Sequence, residues 1–240
     1  MISSLQKKYS VDTLITAILT NDLNLVKEHF PEQRINVNAL DNNGLTPLMH
    51  AAASSHSGCL AELLSRPDIL VNFTNNDGHT ALMFAVVSNK PEIIKLLLRH
   101  NADVNVANKD GQTAIILAAA LDYADCVAEL LLEKNINVNF QDNLLNQTAV
   151  MIVPKSDDHK SLKMLLLTLN TDVKVKDLFD KTAQERANSS GELARIHCFN
   201  KALPVRPLLP IFAAIADPKK HAAPISKLPK ELSRLIARML

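Results

Sequence analysis

Residues 75–108 read NNDGHTALMFAVVSNKPEIIKLLLRHNADVNVAN. Within this stretch Leu82, Phe84, Ala85 and Val86 make one apolar stripe at helical spacing. After Asn89-Lys90-Pro91, with Pro91 placed to open a helix, Ile93, Ile94, Leu96, Leu97 and Leu98 make a second stripe. Neither helix is long enough to be stable alone in water. Each needs a neighbour against which to bury its apolar side, and the rest of the chain supplies that neighbour by repetition.

Thr80-Ala-Leu is one of a series that runs Thr46-Pro-Leu, Thr113-Ala-Ile, Thr148-Ala-Val and Thr182-Ala, at intervals of 34, 33, 35 and 34 residues. Counting 34 back from Thr46 reaches Asp12, next to Thr13. Val37-Asn38, Val71-Asn72, Val104-Asn105, Val138-Asn139 and Val173-Lys174 keep the same beat. Two residues before each Thr stand Gly44, Gly78, Gly111, Asn146 and Asp180. Nine residues after each anchor stand Asn21, Ser55, Asn89, Asp122, Asp157 and Gly191. Gly, Asn and Asp tolerate positive φ, so all but Ser55 fit left-handed corners. The apolar positions recur as Leu48, Ala51, Ala52, Leu60, Leu63 and Leu64, and as Ile115, Leu117, Ala118, Val127, Leu130 and Leu131. A period of this length, with two short helices per unit, predicts a solenoid.

These segments resemble the ankyrin repeat family, whose unit is a helix–turn–helix followed by a hairpin. The resemblance covers about four-fifths of the 240 residues. It implies an all-α fold of six units at 11–40, 41–75, 76–107, 108–141, 142–176 and a degenerate 177–202. The family's usual His, three after the Thr, is replaced by Met49, Met83, Ile116 and Met151. Packing is therefore expected in place of the hydrogen bonds that His makes. Pro154, and an insertion over Asn143 to Asn146, should distort the fifth unit. Glu185 and Arg186 mark the sixth as a polar cap.

Composition limits the function. Net charge is +1 and aromatic content 4%, without Trp, so no field steers the whole molecule onto nucleic acid. Three distant cysteines, Cys59, Cys126 and Cys198, argue against a disulfide framework and for a reducing compartment. No secretory signal or membrane span is visible, and the expectation is a cytoplasmic monomer, or a protein of the host cytosol if it is a secreted effector. No phosphate-binding Gly loop, Cys-x-x-Cys, His-Glu-x-x-His or Gly-x-Ser-x-Gly occurs. No metal, cofactor or catalytic site is expected. Cys59 and Cys126 fall at the apolar repeat position of Ile93, and His50 on an otherwise apolar helix face reads as structural. Asp41, Asp77, Asp110 and Asp142 read as turn residues that bond their own backbone.

In ankyrin stacks the hairpin tips and the inner face of the first helices form a concave surface that grips other proteins. Carried over by position, this selects Asn43, Leu45, Asp77, His79, Lys109, Asp110, Gln112 and Leu121, with Asn42, Ala53, Ser54, Asn76, Val87, Ser88 and Ala120 around them. An exposed Leu on such a rim can anchor a partner.

Beyond residue 202 the chain changes. Residues 203–226 hold five prolines and read as a docked linker. Residues 227–240, KLPKELSRLIARML after Ser226, place Leu232, Leu235, Ile236 and Met239 on one stripe, with basic residues opposite. From Lys201 onward eight basic residues face two acidic ones, a net of +6, which leaves −5 for residues 1–200. The string Leu228-Pro229-Lys230-Glu231-Leu232, followed by Ile236, is similar to the opening of an F-box, as in the short segment that ends some poxviral ankyrin proteins and in some bacterial ankyrin effectors. It implies docking of Leu228, Pro229, Leu232, Leu235 and Ile236 to a Skp-family adaptor of a cullin–RING ubiquitin ligase. The same stripe also suits a helix that caps the solenoid, or a basic face applied to a membrane surface.

Overall fold

The computed structural model describes residues 10–29, 35–154 and 159–202. Among these residues all regular structure is helical, apart from one isolated bridge between Ala107 and Thr113. Among the described residues twelve helices pair in chain order. They are α1 (Val11–Leu19) with α2 (Leu23–Glu28), α3 (Pro47–Ala53) with α4 (Ser57–Leu64), and α5 (Ala81–Val87) with α6 (Pro91–Arg99). Then follow α7 (Ala114–Ala120) with α8 (Ala124–Leu130), α9 (Ala149–Ile152) with α10 (Lys160–Leu167), and α11 (Ala183–Ser189) with α12 (Leu193–Ala202). First helices pack on first helices, α1 on α3 on α5 on α7 on α9 on α11, and second helices stack in the same order beside them. The buried side chains form one continuous cluster from Leu14 to Ala202.

Small residues allow this close stacking. Ala51, Ala52, Ala85, Ala118 and Ala119 are fully buried on successive first helices. The threonines begin these helices: the hydroxyls of Thr46, Thr80 and Thr182 accept the amide hydrogens of Met49, Met83 and Glu185 at 3.2, 3.3 and 3.3 Å. In the first unit the cap is Ser10, which accepts from Thr13 at 3.2 Å. That helix starts two residues earlier than the count back to Asp12 suggests. Met49, Met83, Ile116 and Met151 are all buried, so packing fills the place of the family His. The hydroxyls of Thr113 and Thr148, unlike those of Thr46 and Thr80, are buried without a partner.

The left-handed corners fall at Asn21, Ser55, Asn89 and Asp122 between helices, and at Gly44, Gly78, Gly111, Asn146 and Asp180 before the first helices. Ser55, the residue that broke the sequence pattern, adopts φ 62°. Asp157 lies outside the described residues; His159, two places later, takes φ 50°. Gly78 and Gly111 are required twice over. Besides positive φ, a Cβ at Gly78 would stand 2.9 Å from the Asn108 Cα, and one at Gly111 would stand 2.6 Å from the Asn143 nitrogen. Each unit's turn thus lies against the backbone of the next.

Polar bonds between units do exist, but at the asparagines of the Val-Asn series. Asn38, Asn72, Asn105 and Asn139 each reach into the following unit. Their amide groups donate to the carbonyls of Asp68, Asn101, Asn135 and Asn170 at 2.7, 3.1, 2.8 and 2.7 Å. Their oxygens accept the amides of Leu70, Asp103, Asn137 and Asp172 at 2.8, 2.8, 2.7 and 2.6 Å. Asn matches the task because it carries a donor and an acceptor side by side. In the next unit the position is Lys174, which has no acceptor, and the ladder stops.

The fifth unit is distorted where Pro154 demands it. Helix α9 has four residues where α3, α5 and α7 have seven. The carbonyls this truncation strands are met from the last helix: the buried Arg195 guanidinium donates to the Val153 and Met151 carbonyls at 2.9 and 3.4 Å. Glu192, 3.3 Å away, balances its charge. In the sixth unit Glu185 completes a capping box with Thr182, and α11 buries only Ala183 and Ala187. This is the polar end that its sequence announces.

Two outcomes are expected in urea unfolding. Asn72→Ala removes both bonds of one ladder step and should lower stability by roughly 1 kcal/mol, since the site is solvated. Gly78→Ala and Gly111→Ala should each cost roughly 2 kcal/mol or more, against about 1 kcal/mol for Gly191→Ala, whose surroundings are open.

Candidate functional site

The tips between units are built by one device. An Asp or Asn five residues before the Thr turns its side-chain oxygen back to accept two amides of its own loop. Asp41 accepts from Asn43 and Leu45 at 2.8 and 2.9 Å, Asn75 from Asp77 and His79 at 3.0 and 2.8 Å, and Asn108 from Asp110 and Gln112 at 3.0 and 2.8 Å. Asp177 does the same in the sixth unit, and in the fifth Asp142, six residues before Thr148, accepts from Leu145 and Gln147 across the inserted residue. Asp41 and Asp142 therefore act as expected. In the third and fourth units the acceptor is Asn75 or Asn108, not Asp77 or Asp110. Those aspartates lie at the exposed crest, where their carbonyls accept the amides of Lys109 and Asn143 at 2.9 and 2.8 Å. These backbone links join each tip to the next.

Two of the three aspartate acceptors meet a donor four residues after the Thr. Asp41 faces His50, whose Nε2 donates to Oδ2 at 2.8 Å, and Asp177 faces the Arg186 guanidinium at 2.5 Å. The neutral Asn75 and Asn108 are matched by Phe84 and Leu117. His50 is thus a structural histidine. Burial works to raise the Asp41 pKa, but the Leu45 amide, the His50 ring and the Asn43 amide together hold it below the ordinary value of 3.8. At Asp177 burial is likewise outweighed, by the Lys181 amide, Arg186 and the Phe179 amide. With its amide oxygen toward Arg186, Gln147 accepts from the same guanidinium at 2.6 and 2.9 Å, which fastens the sixth unit to the fifth.

The residues read from the sequence differ in exposure. Asn43, Asp77, Lys109 and Asp110 are exposed along the tips. His79 and Gln112 are half-buried and brought together: the Asn108 amide group donates to the His79 ring and to Gln112 Oε1, both at 3.2 Å. The His79 ring also lies 5.9 Å from that of Phe84. Leu45 is half-buried and packs on the core, whereas Leu121, at the end of α7, is 42% exposed. Val87 is 49% exposed at the end of α5, and Phe84, Leu117 and Ile152 present partly buried side chains on the same series of helices. Phe84, Leu117 and Ile152 were not among the residues chosen from the sequence, although their fixed place four after the Thr was a usable signal. The five adaptor-docking residues, Leu228, Pro229, Leu232, Leu235 and Ile236, lie outside the described residues.

The cysteines are tied into the stack. Cys59 and Cys126 are buried and donate to the corner asparagines Asn21 and Asn89 of the preceding unit at 3.6 and 3.4 Å. Burial, then the nearby Asp125 and Glu92, push the Cys126 thiol up to about 11, so it is protonated and unreactive at neutral pH. Among the described residues no group of three or more His, Cys, Asp and Glu side chains is placed to hold a metal ion, and no helix is long and apolar enough to cross a membrane.

Stacked helical pairs with linked tips define a repeat solenoid, a class of protein that ordinarily serves interaction rather than chemistry. Residues 14–108 and 101–177 match the family model for ankyrin repeats (3 copies), and the chain belongs to that family. Its coordinates resemble the crystal structure of EF0377, an ankyrin repeat protein, with 25% identity and a TM-score of 0.72 over 80% of this chain and 98% of that one. They also resemble a chain in the complex of the predatory endopeptidase Bd0816 from Bdellovibrio bacteriovorus with the immunity protein Bd3460. There identity is 28% and the TM-score 0.67, over 80% of this chain and 98% of that one. The comparison with curated proteins gave no match.

The depressed pKa values of Asp41 and Asp177 carry a signed consequence. Their stabilisation is fully present above the unfolded-state value of 3.8 and is lost as the pH falls through the lower folded-state values. Asn keeps the turn acceptor, as Asn75 and Asn108 show, but cannot titrate. Asp41→Asn with Asp177→Asn should therefore flatten the stability–pH curve below about pH 4, as read by urea midpoints at successive pH values.

Proposed function

We propose that this protein is a non-catalytic scaffold that holds a partner protein across the tips and the concave face of its first helices. The observation that carries the reading is the apolar strip of that wall. Phe84, Val87, Leu117, Leu121 and Ile152 come from three successive units, and Val87 and Leu121 are about half exposed without any neighbour to cover them. A partner's apolar segment or helix face laid along the strip would bury it. The polar tip residues Asn43, Asp77, Lys109 and Asp110 would form the rim, the arrangement of apolar centre and polar edge typical of protein interfaces.

Two further points support the reading. The stack is rigid along the strip, since tips and ladder join each unit to the next, so little order need be lost on binding. One structural neighbour is a chain from a complex between an endopeptidase and an immunity protein. The Skp-family adaptor reading rests on residues outside the described part, and the scaffold function does not depend on it.

The test begins with affinity capture on the full chain and purification of the captured protein. Its Kd should then weaken at least about tenfold for Val87→Asp and for Leu121→Asp, as expected for truncating a central contact. Lys95→Asp on the exposed side of α6 should leave it unchanged. Equal Kd values for all three variants would rule out the concave wall as the binding face.

A further inference from the structure

One repeat position, thirteen residues after the Thr, faces the corner of the preceding unit. It holds Cys59, Ile93, Cys126, Ser161 and Arg195 in units two to six. Between units one and two, Cys59 donates to the corner residue Asn21 at 3.6 Å, and the His56 ring donates to the Ile18 carbonyl at 2.7 Å. Between units three and four, Cys126 donates to the corner residue Asn89 at 3.4 Å. Between units two and three the position is apolar, and Ile93 is fully buried. Between units five and six Arg195 fills it and bonds the Met151 and Val153 carbonyls. The joint between units four and five differs from all of these. Ser161 is fully buried, yet its hydroxyl has no partner, and neither has the buried Oδ1 of Asp122, the corner residue that corresponds to Asn21 and Asn89. His159, at the corner of unit five and 7% exposed, has neither ring nitrogen bonded.

We infer that the stack parts at this joint, with units five and six leaving units one to four as a single body. Buried polar groups without partners oppose burial, and parting the joint returns them to water. The bonds that do cross the joint lie at its other end. Asn139 donates to the Asn170 carbonyl at 2.7 Å and accepts the Asp172 amide at 2.6 Å, and the Asn143 amide donates to the Asp110 carbonyl at 2.8 Å. First helices run from tip to corner and second helices return, so these bonds pin the loop end while Asp122, His159 and Ser161 sit at the corner end. Unit six, by contrast, is fastened to unit five at both ends. Arg195 bonds the end of α9, while Arg186 meets Gln147 and the Leu178 amide donates to the Leu145 carbonyl at 2.9 Å near the tips. Local opening follows such unevenly secured boundaries. The parting line falls between Leu121 and Ile152, so it divides the apolar wall.

Native-state amide exchange of the full chain, in urea below the unfolding midpoint, tests this. Amides of α9 to α12 should exchange through one shared opening, with protection about tenfold or more below that of α5 to α8. Two double variants graft another joint's arrangement onto this one. Asp122→Asn with Ser161→Cys copies Asn89 and Cys126, and Asp122→Ser with Ser161→Ile copies Ser55 and Ile93. Either graft should raise the protection of α9 to α12 by about tenfold and leave that of α5 and α6 unchanged. Separate openings of units five and six, a shared opening that includes α7 and α8, or protection unmoved by both grafts would overturn the inference.

Discussion

No unit of this protein can bury its own apolar surface. The helices run from four to ten residues, below the length at which an isolated helix holds together in water. Everything else depends on stacking: a first helix is stable because alanines on its neighbours let it approach closely, and the approach is possible because glycine or a left-handed corner clears the turn. The same constraint explains why polar groups between units concentrate in one repeated asparagine. A side chain that both donates and accepts can join two loops at a fixed spacing without occupying space between the helices. The ladder and the apolar stack therefore set the same repeat distance, and neither could tolerate a change in it alone.

Regularity invites the question of what the irregular units are for. Unit five breaks the pattern with Pro154, a short α9 and an enlarged tip. The break is compensated locally, since Arg195 supplies donors to carbonyls that a longer helix would have satisfied. Unit six then binds unit five through Arg186, which meets both Asp177 and Gln147. The distortion is thus held by two buried or half-buried arginines from the last unit. Arginine suits both tasks because its fork of donors reaches more than one acceptor at once. An end unit whose first helix buries only two alanines is still firmly attached, because its contribution to the joint is ionic and directional as well as apolar.

Much of this was legible in the sequence. The threonine and Val-Asn series gave the period, the Gly, Asn and Asp positions gave the corners, and Pro154 marked the distorted unit. Three things were not legible, for physical reasons. The cap of the first helix moved to Ser10 because any Ser or Thr near the start can accept the needed amide, so counting repeats could not choose between them. The turn acceptor passed from Asp to Asn in units three and four because an amide oxygen can accept the same two loop amides as a carboxylate oxygen. The asparagine ladder was visible as a landmark but not as a function, since its partners lie some thirty residues away in the chain.

The site was less legible than the fold, and the cause is the same repetition. A repeat specifies its buried positions strongly, because each must fit two neighbours, and leaves its exposed positions free. Residues chosen by position alone therefore mix the exposed with the half-buried: Leu121 is open to a partner, while Leu45 packs on the core and His79 and Gln112 serve Asn108. What distinguishes a binding residue in such a stack is departure from its equivalents in the other units. By that criterion the informative positions are those where one unit is apolar and its counterparts are polar. Leu121 stands out against Ser54 and Ser88 on the wall, and Leu144, Leu178 and Phe179 against the asparagines and charges of the earlier tips. Structural repetition supplies the internal control that a single sequence otherwise lacks.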